Sequence, residues 1–245
     1  MGQAVILAAG LGSRLAPWTP LPKPLVPVGG RPLLLWALQA AEQAGCTEAI
    51  LVLGYRAQEI WDAVTAHYTG PLRLRSVYNP EFRKQNGLSV LAARPYVEHP
   101  FLLLMADHLI EPAAVGRFRS RRTLVQGALL VVDSRLEQVV DLADATKVQV
   151  HNGQVRAIGK ELVEYNAVDT GIFLATADLL DALAAVAGSR GDASLTDGVR
   201  ELVHRGLMYA EELGDYFWQD VDTAETYAVA ERWAQQFMSQ KHSGS

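Results

Sequence analysis

Residues 3–14 read Gln-Ala-Val-Ile-Leu-Ala-Ala-Gly-Leu-Gly-Ser-Arg, and the stretch runs on through Leu15-Ala16-Pro17-Trp18-Thr19-Pro20-Leu21-Pro22-Lys23-Pro24-Leu25. The apolar run Gln3–Ala9 reads as a fully buried first strand. Gly10 and Gly12 flank Leu11 directly after it. Glycines there let the backbone turn sharply and approach a ligand with no Cβ in the way. Successive N–H groups of such a loop form a concave anion site. Arg14 and Lys23 follow, one a planar fork that grips phosphate and the other a mobile point cation. The stretch departs from the dinucleotide fingerprint, because Leu15 stands where a third glycine belongs, and from the P-loop, having no Gly-Lys-Ser/Thr. Pro17, Pro20, Pro22, Pro24 and Pro27 argue against a helix immediately after the loop. The expectation is a triphosphate cradle with two cations carried over it on an extended segment.

Working outward, Leu34, Ala37, Leu38 and Ala41 fall on one face of a helix expected over Arg31–Ala44, with Gly45 ending it. Ala49–Leu53 reads as a second buried strand, Gln58–His67 as a helix and Leu72–Tyr78 as a third strand. This alternation is the pattern of a parallel sheet covered on both faces, with ligands beyond the carboxyl ends of its strands. Asn86-Gly87 opens a helix over Leu88–Arg94. Pro100–His108 is a further apolar strand tipped by Asp107, a charge that is costly there unless solvated, paired or bound to metal. Arg117, Arg119, Arg121 and Arg122 read as a solvated basic face or, alternatively, as a surface for an anionic lipid or a partner. Leu124–Val132 is another strand. Asn152-Gly153 separates two alternating runs in a hairpin over Lys147–Ile158, so the sheet is expected to be mixed. Helices follow at Ala177–Ala187 and Leu195–Arg205, the second with Ser194 as cap. Asp220 and Asp222, two apart on an extended segment, point the same way and both can reach one cation. Alternatively Asp222 caps the closing helix, Glu225–Phe237, with Glu225 completing a box.

The chain has 245 residues, 49% of them hydrophobic and 20% charged, a composition able to bury a full core. A formal net charge of −5 argues against a general nucleic-acid binder. The single cysteine, Cys46, excludes an internal disulfide and a cysteine zinc cluster and suits a reducing compartment. No apolar run approaches the roughly 20 residues of a membrane helix, and the start is not that of a signal peptide. We therefore expect a cytoplasmic enzyme: one domain over residues 1–238, with 239–245 a disordered tail.

LAAGLGSRL…PLPKPLVPVGGRP resembles the signature of the sugar nucleotidyltransferases, roughly LAAGxGxRLxPxTxxxPKPLxPxxGxP. The resemblance implies an α/β fold: a Rossmann-like, doubly wound mixed sheet of the nucleotide-diphospho-sugar transferase type. It also implies a nucleoside triphosphate held by Leu7, Ala8, Ala9, Gly10 and Gly12, with Arg14 and Lys23 neutralising its phosphates. The base or ribose would be contacted by Gln85, Asn86, Gly87 and Ser89. Asp107 would bind Mg²⁺ as cofactor, with Asp220 as the second carboxylate and Asp222 sharing the ion or capping the helix. Lys160 stands where relatives carry a second important lysine, and Asp169 with Thr170 would face the acceptor. His108 would be a polar neighbour of the metal site or, alternatively, take a catalytic role.

MADHLIEP, NAVDTGIF and FWQDVDT are most similar to the branch of CTP:inositol-1-phosphate cytidylyltransferases. The substrates implied are the small molecules CTP and inositol-1-phosphate, yielding CDP-inositol and pyrophosphate. Phospholipid synthesis would then continue on a separate membrane CDP-alcohol transferase. The alternatives are a cytidylyltransferase for phosphocholine or another small phospho-alcohol or phosphonate, a sugar-1-phosphate nucleotidyltransferase, and a non-catalytic nucleotide-binding homologue. Choline would be favoured by an aromatic cage of Tyr165, Tyr216, Phe217 and Trp218, residues equally suited to a core.

Overall fold

The computed structural model describes residues 2–15, 17–120 and 124–243. The first strand, β1 (Gln3–Ala8), is buried at every position. A short 3-10 turn at Lys23–Leu25 and the two-residue strands β2 (Pro27–Val28) and β3 (Arg31–Pro32) carry the proline-rich segment to α1 (Leu33–Gln43). Then come β4 (Glu48–Leu53), α2 (Ala57–His67), β5 (Arg73–Tyr78), α3 (Gly87–Ala93) and β6 (Phe101–Met105). Strands β5, β4, β1 and β6 lie side by side in that order, all parallel. The chain thus winds outward from β1 in one direction, then returns to lay β6 on its other side. The crevice at the carboxyl ends of β1 and β6 is the topological switch point at which such sheets bind ligands.

The second half adds β8 (Ala128–Asp133), β9 (Lys147–His151), β10 (Gln154–Gly159), β11 (Ala167–Ala175) and β12 (Met208–Glu212). β11 runs antiparallel between β6 and β8, making one mixed sheet in the order β5-β4-β1-β6-β11-β8-β12-β10-β9. The β9–β10 hairpin turns at Asn152 and Gly153, both with positive φ (50° and 72°), as its Asn-Gly pair predicts. Helices α1 and α2 pack on one face of the sheet; α3, α4 (Ala177–Arg190) and α5 (Leu195–His204) pack on the other. Ser194 and Asp197 form the full reciprocal cap of α5.

Four expectations are corrected. The strand expected over Pro100–His108 stops at Met105: the chain turns at Ala106–Asp107, and His108–Ile110 forms β7, paired antiparallel with β13 (Trp218–Asp220). Leu109 and Ile110 are as buried as β6, so the apolar run shows no break where the chain leaves the sheet. The final helix, α6, spans Ala224–Ser243, through residues expected as tail, because no breaker interrupts it before Gly244. Its cap is Thr223, whose hydroxyl accepts from Thr226 N–H, and not Asp222. Arg117 is no solvated residue: its guanidinium donates to the carbonyls of Glu212 (2.5 Å) and Leu213 (2.6 Å), tying its segment to the end of β12. Arg121 and Arg122 lie outside the described residues, as does the side chain of Arg119.

α6 closes against α1 through aromatics. The Trp233 ring stacks on Phe217 at 4.6 Å and on Phe237 at 4.8 Å and meets the fully buried Trp36 edge-on at 6.0 Å. Such pairs add about 0.5–1.5 kcal/mol each beyond area burial. They fix the segment before α6, and with it Asp220 and Asp222, against the loop after β1.

Candidate active site

The loop after β1 is shaped by Lys23. Gly12 has φ +61°, and a Cβ there would sit 2.7 Å from Lys23 Cβ; glycine lets the lysine stem pass against the backbone. Leu7, Ala8, Gly10, Gly12, Lys23 and Ala106 contribute to the walls of a cavity of about 210 Å³. Ala9 does not line it; its carbonyl accepts from Tyr55 N–H at 3.0 Å.

Lys23, 6% exposed at its side chain, stands among three carboxylates. Its ammonium lies 2.9 Å from Asp107 and 3.5 Å from Asp220 and bonds Asp222 directly. Arg14 bonds the other oxygen of Asp222 and reaches Asp144 at 2.5 Å. Desolvation alone would raise the Asp107 pKa, but Lys23 and His108 outweigh it and hold the carboxyl far below the ordinary carboxylate range. Burial likewise disfavours charge on His108, yet Asp220 and Asp107 prevail and raise its pKa.

Pairing of β7 with β13 sets His108 opposite Asp220, so ligand atoms of Asp107, His108 and Asp220 lie within 4.8 Å of one another. Two carboxylates at that separation, both about a third exposed at the side chain, fit a hard divalent cation that keeps open positions for phosphate and water. Asp222 is instead shared between Lys23 and Arg14.

A second cavity, also about 210 Å³, opens on the other side of Arg14, Asp107 and Asp222, which line both. Its polar walls include Asn86, His108, Asp141, Asp144, Lys160 and Asp169. Lys160 pairs with Asp144 at 2.6 Å, so this carboxylate bridges Lys160 and Arg14. The Lys160 hydrogen bond, with Arg14 beside it, lowers the Asp144 pKa. Burial pushes the Asp169 carboxyl up to about 6 against the pull of the Gly171 N–H, 2.7 Å away.

Sequence reasoning did not single out Asp144. Its signal is the acidic loop Asp141-Leu142-Ala143-Asp144 before the hairpin, which carries no recognisable spacing. Other expected contacts are not brought to the cavities. Gly87 packs α3 on its neighbours: a Cβ there would lie 2.5 Å from the Ala193 carbonyl oxygen. The Ser89 hydroxyl is buried and accepts from Asn79 at 2.9 Å. Gln85 is exposed, its backbone N–H held by Asp192; Asn86 lines the second cavity, and its side-chain oxygen accepts from Leu195 N–H. Thr170 is fully buried and donates to the Val131 carbonyl at 2.7 Å. Side chains alternate along a strand, so Asp169 can face the cavity only if Thr170 does not. The aromatic cage is not assembled either. Tyr216, Phe217 and Trp218 line one further cavity of about 280 Å³ together with Trp233, but Tyr165 borders a separate groove beside the hairpin, so the four do not share a site.

A family model described as the MobA-like NTP transferase domain matches residues 4–205. The chain is 31% identical over 231 residues to a bifunctional IPC transferase and DIPP synthase of Aquifex aeolicus, covering 94% of this chain and 51% of the relative. It is 34% identical over 230 residues to the protein of the same name from Archaeoglobus fulgidus, covering 94% and 43%. The chain spans about half the length of the curated relatives it matches. The solved inositol-1-phosphate CTP transferase of T. maritima superposes with a TM-score of 0.85 at 25% identity, covering 96% of each chain. Among the described residues no helix is long and apolar enough to cross a membrane. The chain belongs to the family of MobA-like NTP transferase domains.

Proposed function

We propose that residues 1–238 form one catalytic domain that transfers the cytidylyl group of CTP to inositol-1-phosphate, giving CDP-inositol and pyrophosphate. The observation that carries this reading is the row Arg14, Asp107 and Asp222 between a glycine-walled cavity and a polyfunctional polar one. The glycine loop, with Leu7 and Ala8 at its base, receives the triphosphate. The polar cavity receives the acceptor, with Asp169 on its wall. The choice of CTP and of inositol-1-phosphate is supported by the names of the relatives and by the structural match.

In the reaction an oxygen of the acceptor phosphate forms a bond to the α-phosphorus of CTP, and the bond to the bridging oxygen breaks, releasing pyrophosphate. The attacking oxygen is already anionic at neutral pH, so no side chain need remove a proton. The obstacle is repulsion between two anions and charge growth in the transition state. Arg14 lies at the boundary of both cavities, so one guanidinium can hold the phosphates of both substrates. Lys160 reaches the same boundary from the acceptor side, and Lys23 from beneath the loop. Each cation contributes on the order of 3 kcal/mol of barrier, about a hundredfold in rate. Asp107 and Asp220 would hold Mg²⁺, which when bound neutralises and orients phosphate oxygens. Asp222 keeps Lys23 and Arg14 in place. We assign the activity to the cytoplasm, where a membrane CDP-alcohol transferase would consume the product in phospholipid synthesis.

The test is pyrophosphate release with Mg²⁺, crossing CTP, UTP, dTTP, ATP and GTP against inositol-1-phosphate, phosphocholine and glucose-1-phosphate. Release with CTP and inositol-1-phosphate is expected. Release with phosphocholine alone would move the acceptor, and tight nucleotide binding without release would favour a non-catalytic role.

A further inference from the structure

On the acceptor side, one ring is held with a free edge. His108 Nδ1 lies 2.9 Å from Asp107 Oδ1. A carboxylate only accepts, so Nδ1 carries the proton of that bond. The ring also stacks on Trp218, centroids 6.1 Å apart and planes 22° from parallel, and the Trp218 indole N–H is fixed by buried Asp133 at 2.8 Å. Asp133 is in turn gripped by Arg135, which donates to both its carboxylate oxygens. The ring is therefore restrained along one edge and across one face.

The opposite edge, carrying Nε2, makes no hydrogen bond to any described residue. It lies against Gly171, where a Cβ would come within 2.9 Å of Nε2 and 2.8 Å of Cδ2. Gly171 has φ +75° at an irregularity in the β11–β8 pairing between Asp169 and Phe173. The strand is thus bent where a side chain would otherwise meet the ring. The same bend makes the Gly171 N–H a donor to Asp169 Oδ1, leaving Oδ2 with no bond to a described residue. His108, Gly171 and Asp169 all line the acceptor cavity.

Resting on the acceptor assignment above, we infer that His108 Nε2 and the free oxygen of Asp169 recognise hydroxyl groups of the acceptor, making His108 a specificity-determining residue for a polyol phosphate. A hydroxyl both donates and accepts, so it satisfies Nε2 with or without a proton, and it donates to a carboxylate. The N-methyl groups of a quaternary ammonium do neither, and a site built to bond hydroxyls rejects acceptors that lack them.

The experiment compares wild type with His108→Asn, whose amide N–H₂ takes the place of Nδ1 toward Asp107 while nothing replaces Nε2. Steady-state constants are measured for CTP, for inositol-1-phosphate and for deoxy-inositol-1-phosphates lacking one hydroxyl each. The KM for inositol-1-phosphate is expected to rise about tenfold in the variant, the size of one lost hydrogen bond, while that for CTP stays within about twofold. One deoxy acceptor should already show the raised KM with wild type and suffer no further loss with the variant. An unchanged acceptor KM, an equal rise for both substrates, or additive losses for every deoxy acceptor would overturn the inference while leaving the reaction intact. Wild-type turnover of phosphocholine but not inositol-1-phosphate would also overturn it. Absence of wild-type turnover with every pair would instead overturn the proposed function, and this inference with it.

Discussion

Arg14 and Asp144, 130 positions apart, form an ion pair of 2.5 Å, and the other oxygen of Asp144 holds Lys160 at 2.6 Å. An internal carboxylate thus sits on two of the three cations assigned to the substrate phosphates. An incoming triphosphate must share or take them. Both partners of the Arg14 pair are well exposed, so the competition is modest. Asp144→Asn should tighten CTP about threefold in calorimetric titration at low salt, with the gain fading at high salt as exposed charges are screened. Weaker binding in the variant would show instead that Asp144 holds the cations in position.

Lys23→Met tests the buried cation. It removes the ammonium shared by Asp107, Asp220 and Asp222, leaving Asp222 with Arg14 and Asp107 with His108 as their remaining partners. Loss of a buried partner destabilises by about 3–5 kcal/mol, and access of Asp107 and Asp220 to water places this case near the lower end. Urea unfolding should show that loss, and Mg²⁺ should recover more stability in the variant than in wild type. Turnover should fall at least about a hundredfold. Equal Mg²⁺ stabilisation of both proteins would argue against cation exchange at this cluster.

The three aspartates divide by partner. Asp107→Asn and Asp220→Asn should each weaken Mn²⁺ binding, read by electron paramagnetic resonance of the free ion, about tenfold or more, since each removes an anionic oxygen from a site of few ligands. Asp222→Asn should weaken it less and chiefly raise the KM for CTP, because its oxygens are committed to Lys23 and Arg14. An Asp222→Asn protein that loses Mn²⁺ as fully as Asp220→Asn would overturn this division.

Acid stability should depend on Glu48. Desolvation of this buried carboxylate acts to raise its pKa, but bonds from Gln3 and Arg75 and the charge of Arg73 hold it below the ordinary value of 4.5. A folded-state pKa below the unfolded one means stabilisation that is complete above about pH 4.5 and is lost as the pH falls toward the folded value. Glu48→Gln should lower stability at pH 7 and flatten the acid limb of the stability–pH curve. The same slope in wild type and variant below pH 4.5 would remove Glu48 from that account.

The winding of the first half and the position of the glycine loop after β1 were legible from residue order alone. Buried strands, glycine punctuation and proline placement are local signals, and local sterics enforce them. The same local chemistry made the Asn152-Gly153 hairpin and the Ser194 cap legible. That the carboxylates at 107, 220 and 222 could meet was an expectation of the sequence, whereas their shared partner Lys23 was not. That β6 ends at Met105, that β7 leaves the sheet to meet β13, and that His108 consequently faces Asp220 emerged from the folded chain alone. Those outcomes depend on pairing between segments more than 100 residues apart, and an apolar run reads the same in either pairing. Likewise, nothing local marks Asp144 as the bridge between Arg14 and Lys160, or shows that Gly87, Ser89 and Thr170 are spent on packing and backbone bonds. Residue type states what a side chain can bond; only the assembled fold selects the partner it does bond, because burial and distance are properties of the whole chain.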